Sequence, residues 1–158
     1  MYWRLRASDF ERGKGASHKR TMKKIVASGE VPGLIAYREK EPVGWCSIGP
    51  RDAFVRFETA RTLKPVDDKK VWSVVCLFVS KPYRRRGVSP LMLQAAVEHA
   101  RKKGATIVEG YPYDLDGRQS PDPFVWTGLA SAYQKAGFAE VLRRSPTRPI
   151  MRYYIERK

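Results

Sequence analysis

A mixed α/β fold, in which a central sheet is flanked by helices, is predicted for this chain of 158 residues by three observations. Residues 71–79 hold four Val with Trp72 and Phe78 and no Gly, Pro or charge, the pattern of a strand buried on both faces. A basic turn and then a helical repeat of apolar residues follow directly. Short apolar runs separated by polar segments recur at 32–49 and 139–155, as expected of strands joined by turns.

In chain order, residues 1–6 suit a short first strand. Residues 12–29 are basic, and Met22, Ile25 and Val26 make a narrow apolar stripe on a helix beginning near Ser17. His18 on its first turn reads as a solvated residue. Lys14, Lys19, Arg20, Lys23 and Lys24 read as a solvated face, with phosphate contact as the alternative. Residues 32–37 and 43–49 form two strands around a polar loop at 38–42. Residues 50–70 lack periodicity and read as a connector with one short helix, with Asp67 and Asp68 as turn formers.

The central strand should end near Ser80, because Pro82 donates no ladder hydrogen bond and disfavours a helical Lys81. Leu91, Met92, Ala95, Ala96 and Ala100 then recur at helical spacing, with Ser89 as N-cap, Pro90 at the first helical position and Gly104 closing the end. Residues 106–111 form the next strand. Residues 112–127 are rich in turn formers and longer than an ordinary connection. Residues 131–136 form a helix that Gly137 terminates, and strands at 139–144 and 150–155 complete the series.

The turn Arg84-Arg85-Arg86-Gly87-Val88-Ser89 combines free backbone N–H groups at a helix start, the positive end of the helix dipole and a glycine that permits close approach. Guanidinium forks match phosphate oxygens. An anion cradle is one reading and a solvated basic turn is the other.

Residues 79–89, Val79-Ser80-Lys81-Pro82-Tyr83-Arg84-Arg85-Arg86-Gly87-Val88-Ser89, resemble the signature of the GNAT N-acetyltransferase superfamily, Gln/Arg-x-x-Gly-x-Gly/Ala between a strand and a helix. Arg84 and Gly87 match, and Ser89 stands where Gly or Ala is usual. Ser131-Ala132-Tyr133-Gln134-Lys135-Ala136-Gly137-Phe138 is similar to the family's later helix, Leu-Tyr-x-x-x-Gly-Phe, with Ala132 in place of Leu. The runs around Leu34 and Trp45 resemble its second and third strands.

The resemblance implies a mostly antiparallel, twisted sheet whose middle strands splay apart, and acetyl-coenzyme A as cosubstrate. It assigns the pyrophosphate to the turn at Arg84, Arg85, Arg86, Gly87, Val88 and Ser89. It assigns the pantetheine arm and thioester carbonyl to amides near Phe78 and Val79, in the slot the splay opens. Many members carry an Asn where this chain has Trp126. From their length and turn formers, residues 112–127 are expected to form an acceptor-site loop, with a decorative insertion as the alternative, and residues 50–70 to border the same site.

One domain is expected at this length, burying about 70% of its unfolded surface. Cys46 and Cys76 lie in apolar runs, as buried thiols of a reducing compartment would, and with His18 and His99 they make no metal cluster. No apolar run is long enough to span a membrane, and a cytoplasmic location is expected. The net charge of +15 would help capture coenzyme A phosphates. The surplus would serve an acidic acceptor, nucleic acid or solubility.

The implied reaction moves an acetyl group to a primary amine, on a small molecule or peptide, by direct attack in a ternary complex. Main-chain amides where the central strand bulges would polarise the thioester. Tyr133 is the candidate general acid, since a phenol stays protonated at neutral pH; a core aromatic is the alternative. Residues 71–80 contain no Asp, Glu or His, which leaves Glu109 as the candidate base, with Glu58, Asp114 and Asp116 more remote and a salt-bridged Glu109 as the alternative. An amine arriving deprotonated needs no base. A non-catalytic acyl-coenzyme A-binding regulator and a basic nucleic-acid-binding module are the competing functions. Dimerisation through terminal strands is compatible with the pattern.

Overall fold

The structure, a computed structural model, describes residues 1–117 and 125–156. In chain order the elements are α1 (Ala7–Arg12), α2 (Ala16–Ala27), β1 (Gly33–Arg38), β2 (Glu41–Pro50), β3 (Trp72–Val79), α3 (Val88–Lys102), β4 (Ile107–Gly110), α4 (Ala130–Lys135), β5 (Ala139–Arg143) and β6 (Pro149–Tyr154). Among the described residues the strands form one six-stranded sheet in the order β1-β2-β3-β4-β6-β5. All neighbours are antiparallel except β3 and β4. The α/β class expected from the sequence is the class observed.

The β3–β4 pairing covers only Trp72 to Val74 against Val108 to Gly110. Beyond Val74 the strands part, which is the splay the resemblance implies. On its other side β3 stays paired with β2 as far as Val79, interrupted by a register shift where Ser47 faces Cys76 and Ile48 faces Val74. Val75 is the extra residue of this bulge. A bulge inverts the alternation of side chains, so Val74, Leu77 and Val79 all join the core under α3 and α4. Val75 turns into a second core on the opposite face, with Trp3, Phe54, Phe57, Leu63, Tyr111 and Ile150.

Both helix ends flanking the splay close as expected. After α3, Gly104 N–H donates to Arg101 O and Ala105 N–H to Ala100 O; after α4, Gly137 N–H donates to Gln134 O and Phe138 N–H to Tyr133 O. This double closure satisfies the last carbonyls of each helix.

Four local expectations are corrected. Residues 1–6 form no strand: Tyr2–Arg4 is a 3₁₀ turn whose Trp3 is buried against Phe57 and Trp126, with ring centroids at 4.7 and 5.9 Å. The hairpin turn is tighter than five residues, since Arg38 pairs with Glu41 and the register shifts beside Pro42. The connector after β2 holds three 3₁₀ turns rather than one helix. His18 is not solvated; it stacks on Phe10 of α1 at 4.7 Å, a contact available only because α1 folds back on α2.

Candidate active site

The turn after β3 begins with a 3₁₀ segment, Lys81–Tyr83. Arg84 folds back so that its Nε donates to Val79 O at 2.8 Å. Arg85 and Gly87 then take left-handed conformations, with φ of 60° and 78°. The helix starts one residue earlier than its sequence suggests: Gly87, not Ser89, is the N-cap, and Val88 is the first helical residue. Pro90 falls at the third helical position, where its missing N–H costs nothing.

None of the backbone N–H groups from Arg85 through Ser89 finds an acceptor among the described residues. A Cβ placed on Gly87 would meet no atom within 4 Å, so the space in front of these donors is open. Consecutive free donors at the positive end of a fifteen-residue helix form a site for a phosphate group. Arg85 and Arg86 flank it. The residues present fit the pyrophosphate of coenzyme A.

The strand end of the site is built from β3. Ser80 N–H donates to Val43 O of β2, whereas Leu77 N–H donates away from β2, to Trp126 O at 2.8 Å. Alternation along a strand therefore directs Val79 N–H into the splay and Phe78 N–H toward β2. Of the two amides expected at the pantetheine arm, only that of Val79 faces the splay. Phe78 contributes its half-exposed ring on the face opposite α3, in line with Trp45 and Ile35 on the neighbouring strands.

The splay is not empty. Residues 126–129 lie across it, held to β3 by the Leu77–Trp126 bond and to the chain beyond β4 by Tyr113 N–H donating to Gly128 O and Ala130 N–H donating to Tyr113 O. The position where many family members carry Asn thus uses its main chain to occupy Leu77. Nothing in the sequence signals this, because the bond involves backbone atoms. Of the expected acceptor loop, residues 118–124 lie outside the described residues.

Tyr133, on α4, is fully buried. Its ring lies against Gly110, where a Cβ would come within 2.0 Å of Cε1, and packs edge-on against Phe138 at 5.1 Å. The hydroxyl donates to Thr127 O at 3.1 Å. Burial pushes its pKa well above the ordinary phenol value, so the proton is retained.

Glu109 sits in a salt-bridged cluster with Arg51 and Arg152. Its side chain is buried; Oε2 accepts from Arg152 Nε at 2.7 Å, and Oε1 accepts from Tyr111 OH at 2.6 Å and lies 3.4 Å from Arg51 Nη1. Both oxygens are thus engaged by neighbouring side chains. Arg152 extends the cluster to Asp67 with bonds of 2.7 and 3.0 Å. Tyr111, burial and Glu109 raising its pKa well above ordinary, also contacts Ser73 at 2.9 Å. The remoter Asp114 is paired with Arg143 at 2.7 Å.

Against the bulge, on the face opposite α3, lies a cavity of about 150 Å³ walled by Trp3, Trp45, Trp126, Phe54, Val75 and Cys76, among others. Three aromatic walls come from segments distant in sequence, the N-terminal turn, the connector and the loop before α4. Among the described residues no group of His, Cys, Asp or Glu could hold a metal ion, and no helix is long and apolar enough to cross a membrane.

No curated protein sequence matches the chain. Among solved structures, the PaiA N-acetyltransferase of Thermoplasma acidophilum in complex with coenzyme A is similar at 17% identity and a TM-score of 0.55, covering 94% of this chain and 77% of that one. YncA of Salmonella typhimurium, described as a putative acetyltransferase with its cofactor acetyl-CoA, is similar at 13% identity and a TM-score of 0.56, over 91% of this chain and 76% of that one. The ribosomal-protein-alanine N-acetyltransferase of Brucella melitensis is similar at 17% identity and a TM-score of 0.54, over 87% and 76%. At these identities the likeness concerns the fold. The sequence profile of the Acetyltransferase (GNAT) family matches residues 1–112, and the chain belongs to that acetyltransferase family.

Proposed function

We propose that this acetyltransferase binds acetyl-coenzyme A at the α3 N-terminus and transfers the acetyl group to a primary amine by direct attack within a ternary complex. The observation that carries the reading is the run of unpaired amides from Arg85 through Ser89 around a left-handed Gly87. With Arg84, these residues hold the pyrophosphate. The similar structures described with coenzyme A or acetyl-CoA support the choice of ligand.

Acetyl-coenzyme A, when bound, supplies an acetyl thioester. The chain contributes the Val79 N–H as a donor facing the splay, and Leu77 N–H becomes a second once Trp126 O releases it. Tyr133 holds the proton for the departing thiolate, its phenol kept neutral by burial. With both Glu109 oxygens engaged, no side-chain base is assigned, and the amine enters deprotonated. The aromatic-walled cavity beside the bulge receives the acceptor. The acceptor is defined only as an amine: the similar structures include enzymes named for ribosomal-protein alanine and for agmatine.

The test is thiol release from acetyl-coenzyme A in the presence of a panel of amines: polyamines, aminoglycosides, amino-terminal peptides and lysine peptides. Release that depends on an amine is expected. Saturable binding of acetyl-coenzyme A without amine-dependent release would instead make the chain an acyl-coenzyme A-binding regulator.

A further inference from the structure

The sheet has two outer strands, and they differ. β5 carries Glu140 and Arg143 and breaks register with β6 between Glu140 and Leu142, which are common protections against pairing with another chain. β1 carries no charge along Gly33 to Tyr37 and stays in register with β2 from Gly33 to Ala36, its one shift falling between Ala36 and Tyr37, and Ile35 and Tyr37 are 52% and 58% exposed. Among the described residues its one neighbour in the sheet is β2, and no strand faces its outer main-chain groups.

A groove of about 450 Å³ runs beside it, lined by all of residues 34–38 and, on α3, by Val88, Leu91, Met92 and Ala95. Side chains of a strand alternate between faces. A groove lined by five successive residues therefore follows the edge of the strand, where main-chain groups are offered, and α3 forms the opposite wall. Leu91 on that wall is 66% exposed.

One end is cationic. Arg38, with its guanidinium 5.8 Å from the Tyr83 ring centroid, and Arg86 both line the groove. Neither is in an ion pair among the described residues. The nearby Glu41 carboxylate is engaged by the Tyr83 hydroxyl at 2.6 Å. A second copy of this chain would bring a further +15 and the same arginines, and repulsion opposes that pairing.

We propose that the outer edge of β1 docks an extended, apolar segment of an acidic partner protein, which adds to the sheet as a seventh strand. Main-chain bonds to β1 hold the segment, alternate apolar side chains enter the groove against α3, and an Asp or Glu at one end meets Arg38 and Arg86. This site lies on the flank of α3 away from the splay; it shares Arg86 and Val88 with the phosphate turn, whereas its main-chain pairing with β1 does not rest on the acetyl-transfer reading.

The experiment selects a display library of random short peptides against the full-length wild-type protein, with Leu91→Asp as the counter-target. Enriched peptides should place apolar residues at alternate positions and carry Asp or Glu at one end. A synthetic enriched peptide, followed by fluorescence anisotropy, should bind about tenfold more weakly to Arg38→Glu and to Leu91→Asp, and a proline in its apolar stretch should abolish binding. Both substituted residues are exposed, and unchanged circular dichroism melts and acetyl-coenzyme A titrations verify that the variants are folded. No enrichment over the counter-target, enriched peptides without acidic residues, or binding indifferent to both variants would overturn the proposal. So would light scattering that shows a wild-type dimer dispersed by Leu91→Asp, since a second copy would then be the occupant.

Discussion

Tyr133 shows how one side chain is fixed by residues with no functional chemistry. Gly110 leaves the space its ring fills, Phe138 meets it edge-on and Thr127 O orients its hydroxyl. Replacing it with Phe removes one hydrogen bond, worth about 1 kcal/mol, and keeps the packing. The expected result is a fall in turnover of about 10²-fold with acetyl-coenzyme A affinity unchanged, read by thiol release and calorimetry. Unchanged turnover would make Tyr133 a core aromatic alone. Glu109 is a second case, a residue whose type suggests chemistry and whose partners are those of a buried ion-pair cluster. Glu109→Gln should lower stability to urea by about 3 kcal/mol or more, because Arg51 and Arg152 lose a buried counter-charge. Turnover per folded molecule should stay within about twofold, whereas loss of a true general base costs about 10² or more.

At the scale of elements, the strand, turn and helix around Gly87 were legible because each is specified locally: an apolar run, a proline stop, a glycine, then a 3.6-residue repeat. The glycine closures after α3 and α4 were legible for the same reason. What escaped reading depends on distant partners. Arg51 and Arg152 stand 58 and 43 positions from Glu109, so a carboxylate free in sequence is saturated in space. The filling of the splay by residues 126–129 rests on backbone bonds, which carry no sequence signature. The N-terminal turn is another example, since Trp3 is recruited into an aromatic core that only the folded connector completes. The bulge at Val75 also went unlocated, because both flanking residues are apolar and suit either face.

For the whole molecule, the buried cluster ties the connector to the sheet and makes stability depend on acid. The hydrogen bonds from Arg152 hold the Asp67 carboxyl down at about 2, against about 3.9 for a free Asp. The folded state thus binds this proton less tightly than the unfolded state does. The stabilisation is complete above about pH 4 and is lost as pH falls through about 2. Thermal midpoints of wild type and Asp67→Asn should differ at neutral pH and converge toward pH 2; a gap that stays constant across this range would show that Asp67 acts through packing instead of charge. The net charge of +15 is distributed between uses: some cations are neutralised internally, Arg85 and Arg86 flank the turn before α3, and Arg38 sits with Arg86 beside the outer edge of β1. Capture of a polyanionic ligand by such a surface weakens with added salt.

Calorimetric titration of acetyl-coenzyme A into wild type and into Gly87→Val reads the phosphate turn itself. Valine resists the left-handed conformation that Gly87 adopts at φ 78° and adds bulk in front of the Arg85–Ser89 amides. Saturable micromolar binding to wild type, weakened about tenfold or more in the variant, is the predicted result. Equal affinity in the two proteins, with both folded by circular dichroism, would contradict the assignment of the cradle.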